Sequence, residues 1–445
     1  MTSRYAMIYS FKSFTQFSGA VLLGLTTMIS DVASKPLLTN SQSTYASACI
    51  EQSDTPERLI EICQLGLEEA GSSDAQRIEM LDRMAWAYVD VDDLDRAHDV
   101  FDQILTIDPN AEPGLQGQGW VLYLLDDYPA AVELFRQAVL RKPNAQNMAG
   151  LASSQHWAGQ IEIDEFENYM RASLALDPEY PWGMRELAWV LAYDGQYDKS
   201  HELFTSALEI NDADANAKYG LAYVLSERQQ WDDALDHVNR ALELDEEFIS
   251  ARSRRSLILL MLDRPKQALK DADAVIEARP DDSDGYVRRA RALSALGRRS
   301  EAHKVLDEAK SRAGESGYLV YWQASLLADD AEFDAALALI RRGVEMDGAD
   351  HFDHRLHAEI ALELDKIPEA RDAIDRSLAL GPSDSFGQFI NAMILIEEEN
   401  FVQAEEIFDG AIDAGLSEEY LEDFMSALIS HGRFMQAIKM RVRYS

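Results

Sequence analysis

Cysteine is nearly absent from this chain: there are two in 445 residues, Cys49 and Cys63, and none follow them. No cysteines therefore stand at the spacing of a zinc site. One local pair in an otherwise thiol-free chain suits a disulfide formed in an oxidising compartment. The competing reading is two unrelated thiols, with Cys63 serving as a small apolar residue on a helix face. Ala46 stands where a lipoprotein box has leucine, which speaks against a lipid on Cys49. Positive charge is scarce too. Lys and Arg number 41 against 79 Asp and Glu, a formal net charge of -38. Such a surface repels phosphates and excludes nucleic acid as a partner of the chain as a whole. It suits solubility, or long-range attraction of a basic partner.

Phosphate-binding glycine loops, dinucleotide fingerprints and Gly-x-Ser-x-Gly elbows are missing as well. The expectation is a protein without catalysis of its own, with no cofactor and no resident metal. Long apolar runs are also lacking. The strongest, "FSGAVLLGLTTMI" at 17–29, is shorter than the ~20 residues that span a bilayer as a helix. It follows Arg4 and Lys12 and precedes a polar stretch ending in "YASAC". That order resembles a signal peptide with small residues at Ala46-Ser47-Ala48. Two details fit poorly: the apolar run ends almost twenty residues before that site, and Asp31 spoils the nearer one after Ala33. An uncleaved anchor, associating with a membrane through 17–29, is the alternative, and a cytosolic tail is the third. Residues 1–48 are read as an export segment with a polar linker, placing the protein in a bacterial-type periplasm or envelope rather than the cytoplasm.

What the chain has in abundance is a repeat. In "LAYVLSERQQWDDALDHVNRALELDEE" (221–247), Leu221, Ala222 and Leu225 share one helix face, and Ala234, Val238 and Ala241 share another. A polar turn, "ERQQ", separates them. Equivalent units close at Pro109, Pro143, Asp212, Glu246, Pro280, Gly314, Gly348, Pro382 and Leu416, a stride of 34, with Pro178 fitting if its unit has one extra residue. Small residues recur twelve positions before each close, from Ala97 and Ala131 to Ala370 and Ala404. Apolar ones recur eight before it, including Phe101, Phe135, Phe204, Val238 and Phe408. Small side chains let two helices approach closely, and proline ends the second helix because it lacks an N–H.

This pattern resembles the tetratricopeptide repeat family, and "LAWVLAYDGQYDKSHELFTSALEI" (187–210) matches it well by itself. The resemblance implies an all-α, right-handed superhelical solenoid of antiparallel helix pairs. Ten repeats are expected over 78–416, an incomplete first unit or cap over 49–77, and a truncated final pair over 417–445. A Cys49–Cys63 disulfide would staple the first cap. Two units depart from the pattern. Residues 144–178 carry Phe166 and Ser173 where alanine is expected, and 249–280 put Arg252 and Arg255 at core-facing positions.

The one cluster that invites a metal reading is "HFDHRLH", with His351, His354 and His357 beside Asp350 and Asp353. Three histidines stepped by three span too wide an arc of a helix to converge on one ion, so they read as structural or solvated.

In the family the resemblance names, first helices line a concave groove that holds partner peptides. One groove row reads Trp86, Trp120, Ser153, Trp189, Tyr223, Leu257, Arg291, Ser325, Glu359, Met393, with Trp182 and Tyr219 alongside. Its aromatic half offers large contact area at low entropy cost; the other reading is helix-on-helix packing. Residues 250–315 hold 15 basic and 11 acidic residues, net +4, leaving the rest of the chain at −42. Arg252, Arg254, Arg288 and Arg291 are expected to form a patch for a carboxylate-rich or phosphorylated ligand, unless they pair internally with Asp271, Asp273, Asp281 and Asp284. The expected function is a scaffold that binds a protein or peptide in this groove. A structural part of an envelope assembly that exports polysaccharide or builds pili is the alternative. Salt-sensitive self-association between acidic and basic regions is a further expectation.

Overall fold

The computed structural model describes residues 44–51 and 54–444; the apolar run at 17–29 lies outside them. Among the described residues the chain is all-α, with 24 helices, and no helix is long and apolar enough to cross a membrane. Contacts divide it into two compact units that meet at Ser250 and Ala251.

The first unit opens with α1 (Tyr45–Glu51) and α2 (Pro56–Glu68). Pairs follow: α3 (Asp74–Asp90) with α4 (Leu94–Ile107), α5 (Glu112–Leu124) with α6 (Tyr128–Arg141), and α7 (Ala145–Trp157) with α8 (Ile163–Leu176). It ends with α9 (Pro181–Tyr193) on α10 (Tyr197–Ile210) and α11 (Ala215–Glu227) on α12 (Trp231–Leu244). The second unit runs from α13 (Ile249–Met261) and α14 (Pro265–Ala278) through α15 (Ser283–Ala295), α16 (Arg299–Ala313), α17 (Gly317–Asp329) and α18 (Phe333–Gly343). It continues with α19 (His351–Glu363), α20 (Ile367–Leu380), α21 (Ser385–Glu397) and α22 (Phe401–Asp413), then closes with α23 (Leu421–Ser430) and α24 (Phe434–Arg443).

Each pair turns by the same device. The first helix ends on a residue in left-handed backbone, and the next N–H bonds back five residues. Asp127 N–H reaches Leu122 O at 2.9 Å, Gln230 N–H reaches Leu225 O at 2.9 Å, and Asn400 N–H reaches Leu395 O at 2.8 Å. Such a bond satisfies a carbonyl the helix end would otherwise leave open. The left-handed position is glycine at Gly159, Gly195, Gly297 and Gly432, but Asp92, Asp126, Gln229, Asp263, Ala331, Asp365 and Glu399 hold it with a side chain, at φ between 54° and 62°.

Between pairs, aromatic rings close on glycine. Phe101, Phe135 and Phe204 are each fully buried. They lie so near Gly117, Gly150 and Gly220 of the following first helices that an added Cβ would come within 2.0, 2.4 and 2.3 Å of the rings. Within pairs the close contacts are alanines: Ala222 and Ala234 are both 0% exposed. Where serine replaces alanine, its hydroxyl donates to the facing backbone. Ser200 Oγ bonds Ala188 O at 2.7 Å, and Ser173 Oγ bonds Ala145 O at 2.7 Å.

The irregular unit at 144–178 is explained by volume. α8 buries Phe166, Met170 and Ser173, and α7 faces it with Ala149, Gly150 and Ala152. A large residue on the second helix is matched by small ones on the first. The turn between them runs over 158–162, five residues where 125–127 and 194–196 have three.

At the first end, Cys49 on α1 and Cys63 on α2 are joined by a disulfide, S–S 1.98 Å. The Ala46-Ser47-Ala48 stretch is part of α1, with Ala48 1% exposed. Glu69 accepts from the Tyr45 and Ala46 N–H groups at 2.9 and 3.1 Å. At the other end, α24 buries Ala437 and Met440 but exposes Phe434, Met435, Ile438 and Val442.

Candidate functional site

The aromatic row separates into two knots. In the first, Trp120 on α5 and Trp182 on α9 meet edge to face with ring centroids 4.6 Å apart. They reach each other across α7, which places the small, buried Ser153 in that row. Tyr123, Trp157 and Tyr180 complete the cluster, and their rings contact Trp182 or Tyr128. At its floor lies Glu186, only 4% exposed. Its Oε1 accepts from Tyr123 Oη at 2.8 Å and from Trp157 Nε1 at 2.9 Å. Burial pushes the Glu186 carboxyl up, while the Trp157 and Tyr123 donors pull it back. Trp120 and Trp182 remain half-buried.

The second knot centres on Trp189, which is 7% exposed. Tyr193, Phe204, Tyr219 and Tyr223 surround it at 5.1–5.7 Å, and its Nε1 donates to Asn216 at 3.0 Å. Trp189 is thus packing, and Tyr219 and Tyr223 are the half-buried faces beside it. Trp86, alone on α3, lies edge-on to Phe101 at 5.6 Å and hydrogen-bonds Asp82. Burial raises the Asp82 carboxyl to about 6.

The arginines are drawn largely inward. Arg255 holds Asp271 with two bonds of 2.7 Å, and Arg252 lies 3.8 Å from the same carboxylate. Arg289 pairs with Asp273 at 3.1 Å and Arg288 with Asp284 at 3.2 Å. Asp284 also accepts from Ser253 and from Tyr318 Oη at 3.5 Å. Arg254 lies close enough to Arg288 for their charges to repel. Arg291 differs. Its guanidinium stacks over Trp322 at 4.3 Å and makes no ion pair among the described residues. It borders a cavity of about 350 Å³ between α15 and α17, walled by Val287, Leu306, Trp322 and Leu326, with Ser294, Ser325 and Asp329 as its other polar groups.

The histidines do not converge. His357 Nε2 lies 2.8 Å from Glu369, His354 is buried at 8% exposure, and Asp350 and Asp353 cap the start of α19 reciprocally. Sequence reasoning overlooked Trp157, Tyr180, Glu186 and Trp322. Trp322 lies one 34-residue stride after Arg288, which was signal enough to find it. Glu186 had none, because nothing local distinguishes it from the other acids.

Two family models described as tetratricopeptide repeat match this chain, over residues 83–149 and 191–253. Among solved structures, a chain of the APC/C hetero-tetramer Cut9–Hcn1 is 13% identical, with TM-score 0.54 over 89% of this chain and 84% of that one. Yeast Tom70 is 16% identical, with TM-score 0.50 over 90% and 96%. A tetratricopeptide repeat protein from Parabacteroides merdae is 15% identical, with TM-score 0.48 over 60% and 98%. At these identities the first two likenesses speak to the fold alone. No curated protein sequence matches the chain.

Proposed function

As the chain belongs to the tetratricopeptide repeat proteins, we propose that it is a protein-binding scaffold of an oxidising, extracytoplasmic compartment, without catalysis of its own. Its contact surface is the aromatic first-helix face around Trp120 and Trp182. One observation carries this reading: two half-buried tryptophans from first helices two repeats apart form a single, partly exposed aromatic ridge over a buried carboxylate. Tryptophan ridges of this kind are what interface hot spots are made of. The Cys49–Cys63 disulfide supports the compartment. Affinity capture followed by cross-linking tests the surface. Trp120→Ala with Trp182→Ala should lose the partners that the unaltered protein retains, and retention of all of them would remove the surface from the proposal.

The export segment is read as retaining residues 44–48. Their helix is packed and capped by Glu69, so cleavage after Ala48 would strip the first cap. Mass spectrometry of the mature protein should place its N-terminus upstream of Tyr45.

Self-association is a second reading with its own observation. The outward row of α24, Phe434, Ile438 and Val442, has a spacing of four that reads alike in both directions. Two copies packed antiparallel would set Phe434 against Val442 and Ile438 against itself. Light scattering should then show a dimer that survives high salt and is lost in Ile438→Asp; a dimer that salt dissolves would point to charge contacts instead.

A further inference from the structure

We propose that the cavity between α15 and α17 binds an apolar chain that carries a carboxylate, with Arg291 as the anion's partner. Three arginines nearby hold an acid each: Arg255 has Asp271, Arg288 has Asp284, Arg289 has Asp273. Asp284 is engaged by Arg288, Ser253 and Tyr318 and acts on Arg291 only at a distance, with no ion pair between them. A desolvated guanidinium without a counter-ion is costly. Stacking on Trp322 offsets only part of that cost. Burial, and Arg288 beside it, lower the Arg291 guanidinium to about 10, which leaves it charged at neutral pH. An arriving anion would meet a fork of donors held flat by an indole.

The rest of the cavity says what else the ligand carries. Val287, Leu306, Leu326 and the Trp322 ring make its walls, and about 350 Å³ is enough for a chain of several carbons. Arg291 is the one basic residue on the cavity's lining, which fits a singly charged carboxylate better than a phosphate dianion. Asp329 at the border would repel a second acid. The shared chemistry is therefore apolar carboxylate, supplied either by a free organic acid or by the C-terminal residue of a peptide. This site lies in the second unit and shares no residue with the Trp120–Trp182 surface, so either reading can fail alone.

Calorimetric titration of the full chain tests it, with octanoate and N-acetyl-leucine as acids and octanol and N-acetyl-leucinamide as their neutral counterparts. At least one acid should bind where its neutral counterpart does not. Affinity should fall roughly tenfold or more in Arg291→Gln, as loss of a charged hydrogen bond implies. Ser325→Leu, which fills the cavity without touching the charge, should abolish binding as well and keeps the test valid if Arg291→Gln fails to fold. Octanoate alone binding assigns a free organic acid; N-acetyl-leucine alone assigns a peptide terminus; both binding shows that the shared chemistry is what is read. Acid and neutral probes binding alike, neither binding, or full affinity in both variants would overturn the proposal.

Discussion

A glycine and a phenylalanine in contact illustrate how single residues hold this protein together. Gly117 has the Phe101 ring where its Cβ would be, and helix-on-helix packing leaves no slack. Gly117→Ala should therefore destabilise by about 1–3 kcal/mol through overpacking, read in a urea melt. Asp271 is the second such residue. Asp271→Ala would take from Arg255 the carboxylate it holds with two bonds and should cost about 1–3 kcal/mol, whereas Arg255→Met with Asp271→Leu together should be milder. Glu369 shows the same logic at the surface. The bidentate Arg341 fork, aided by His357, holds its carboxyl at about 2, below its ordinary 4.5. A lowered acid contributes stability that is complete above the unfolded value and disappears as pH falls through the folded one. Glu369→Gln should thus lose about 1 kcal/mol or less at pH 7, as exposed pairs do. The gap from the unaltered protein should close between pH 4.5 and 2 in acid-titrated melts. Arg255 was legible in the sequence as a core-facing anomaly, and Asp271 as one of four acids that could answer the arginines nearby; which acid meets which arginine was decided only across the pair.

At the scale of the element, the repeated unit is a helix, a left-handed turn residue and a second helix. Left-handed backbone costs a residue with a Cβ about 1–2 kcal/mol, and glycine escapes that cost. Ala331, at φ 59°, has no side-chain hydrogen bond to compensate. Ala331→Gly should stabilise by about 0.5–1 kcal/mol in thermal denaturation, the strain relief exceeding the added unfolded-state entropy. The helices themselves could be read from periodicity, and so could the close at Pro109, Pro143 and Pro280. The turn could not. A stretch such as "ERQQ" looks merely polar, since Gln229 is not among the residue types, glycine, asparagine and aspartate, that mark left-handed backbone. The unit at 144–178 is the complementary case: its small first helix and large second helix were both visible, but their compensation exists only once α7 lies against α8.

Within each unit stability is local, since consecutive helix pairs rest on their neighbours. The disulfide at the first end closes a loop of 14 residues. Reducing it should remove about 2–4 kcal/mol from that end alone. Hydrogen exchange should show lost protection in α1 to α3 and unchanged protection in α9 to α12. Loss spread evenly through the chain would mean that the pairs unfold as one. The sequence by itself determined the architecture, because a stride of 34 with alanines at the close contacts and apolar residues around them is a statement about short-range packing, and short-range packing is written in spacing. Tertiary structure alone decided which of the candidate residues meet. Trp120 touches Trp182 over a serine, Trp189 is spent on packing, and Arg291 is left without the acid that its neighbours took. Those outcomes depend on where side chains from different repeats end up in space, and a one-dimensional period carries no record of who reaches whom.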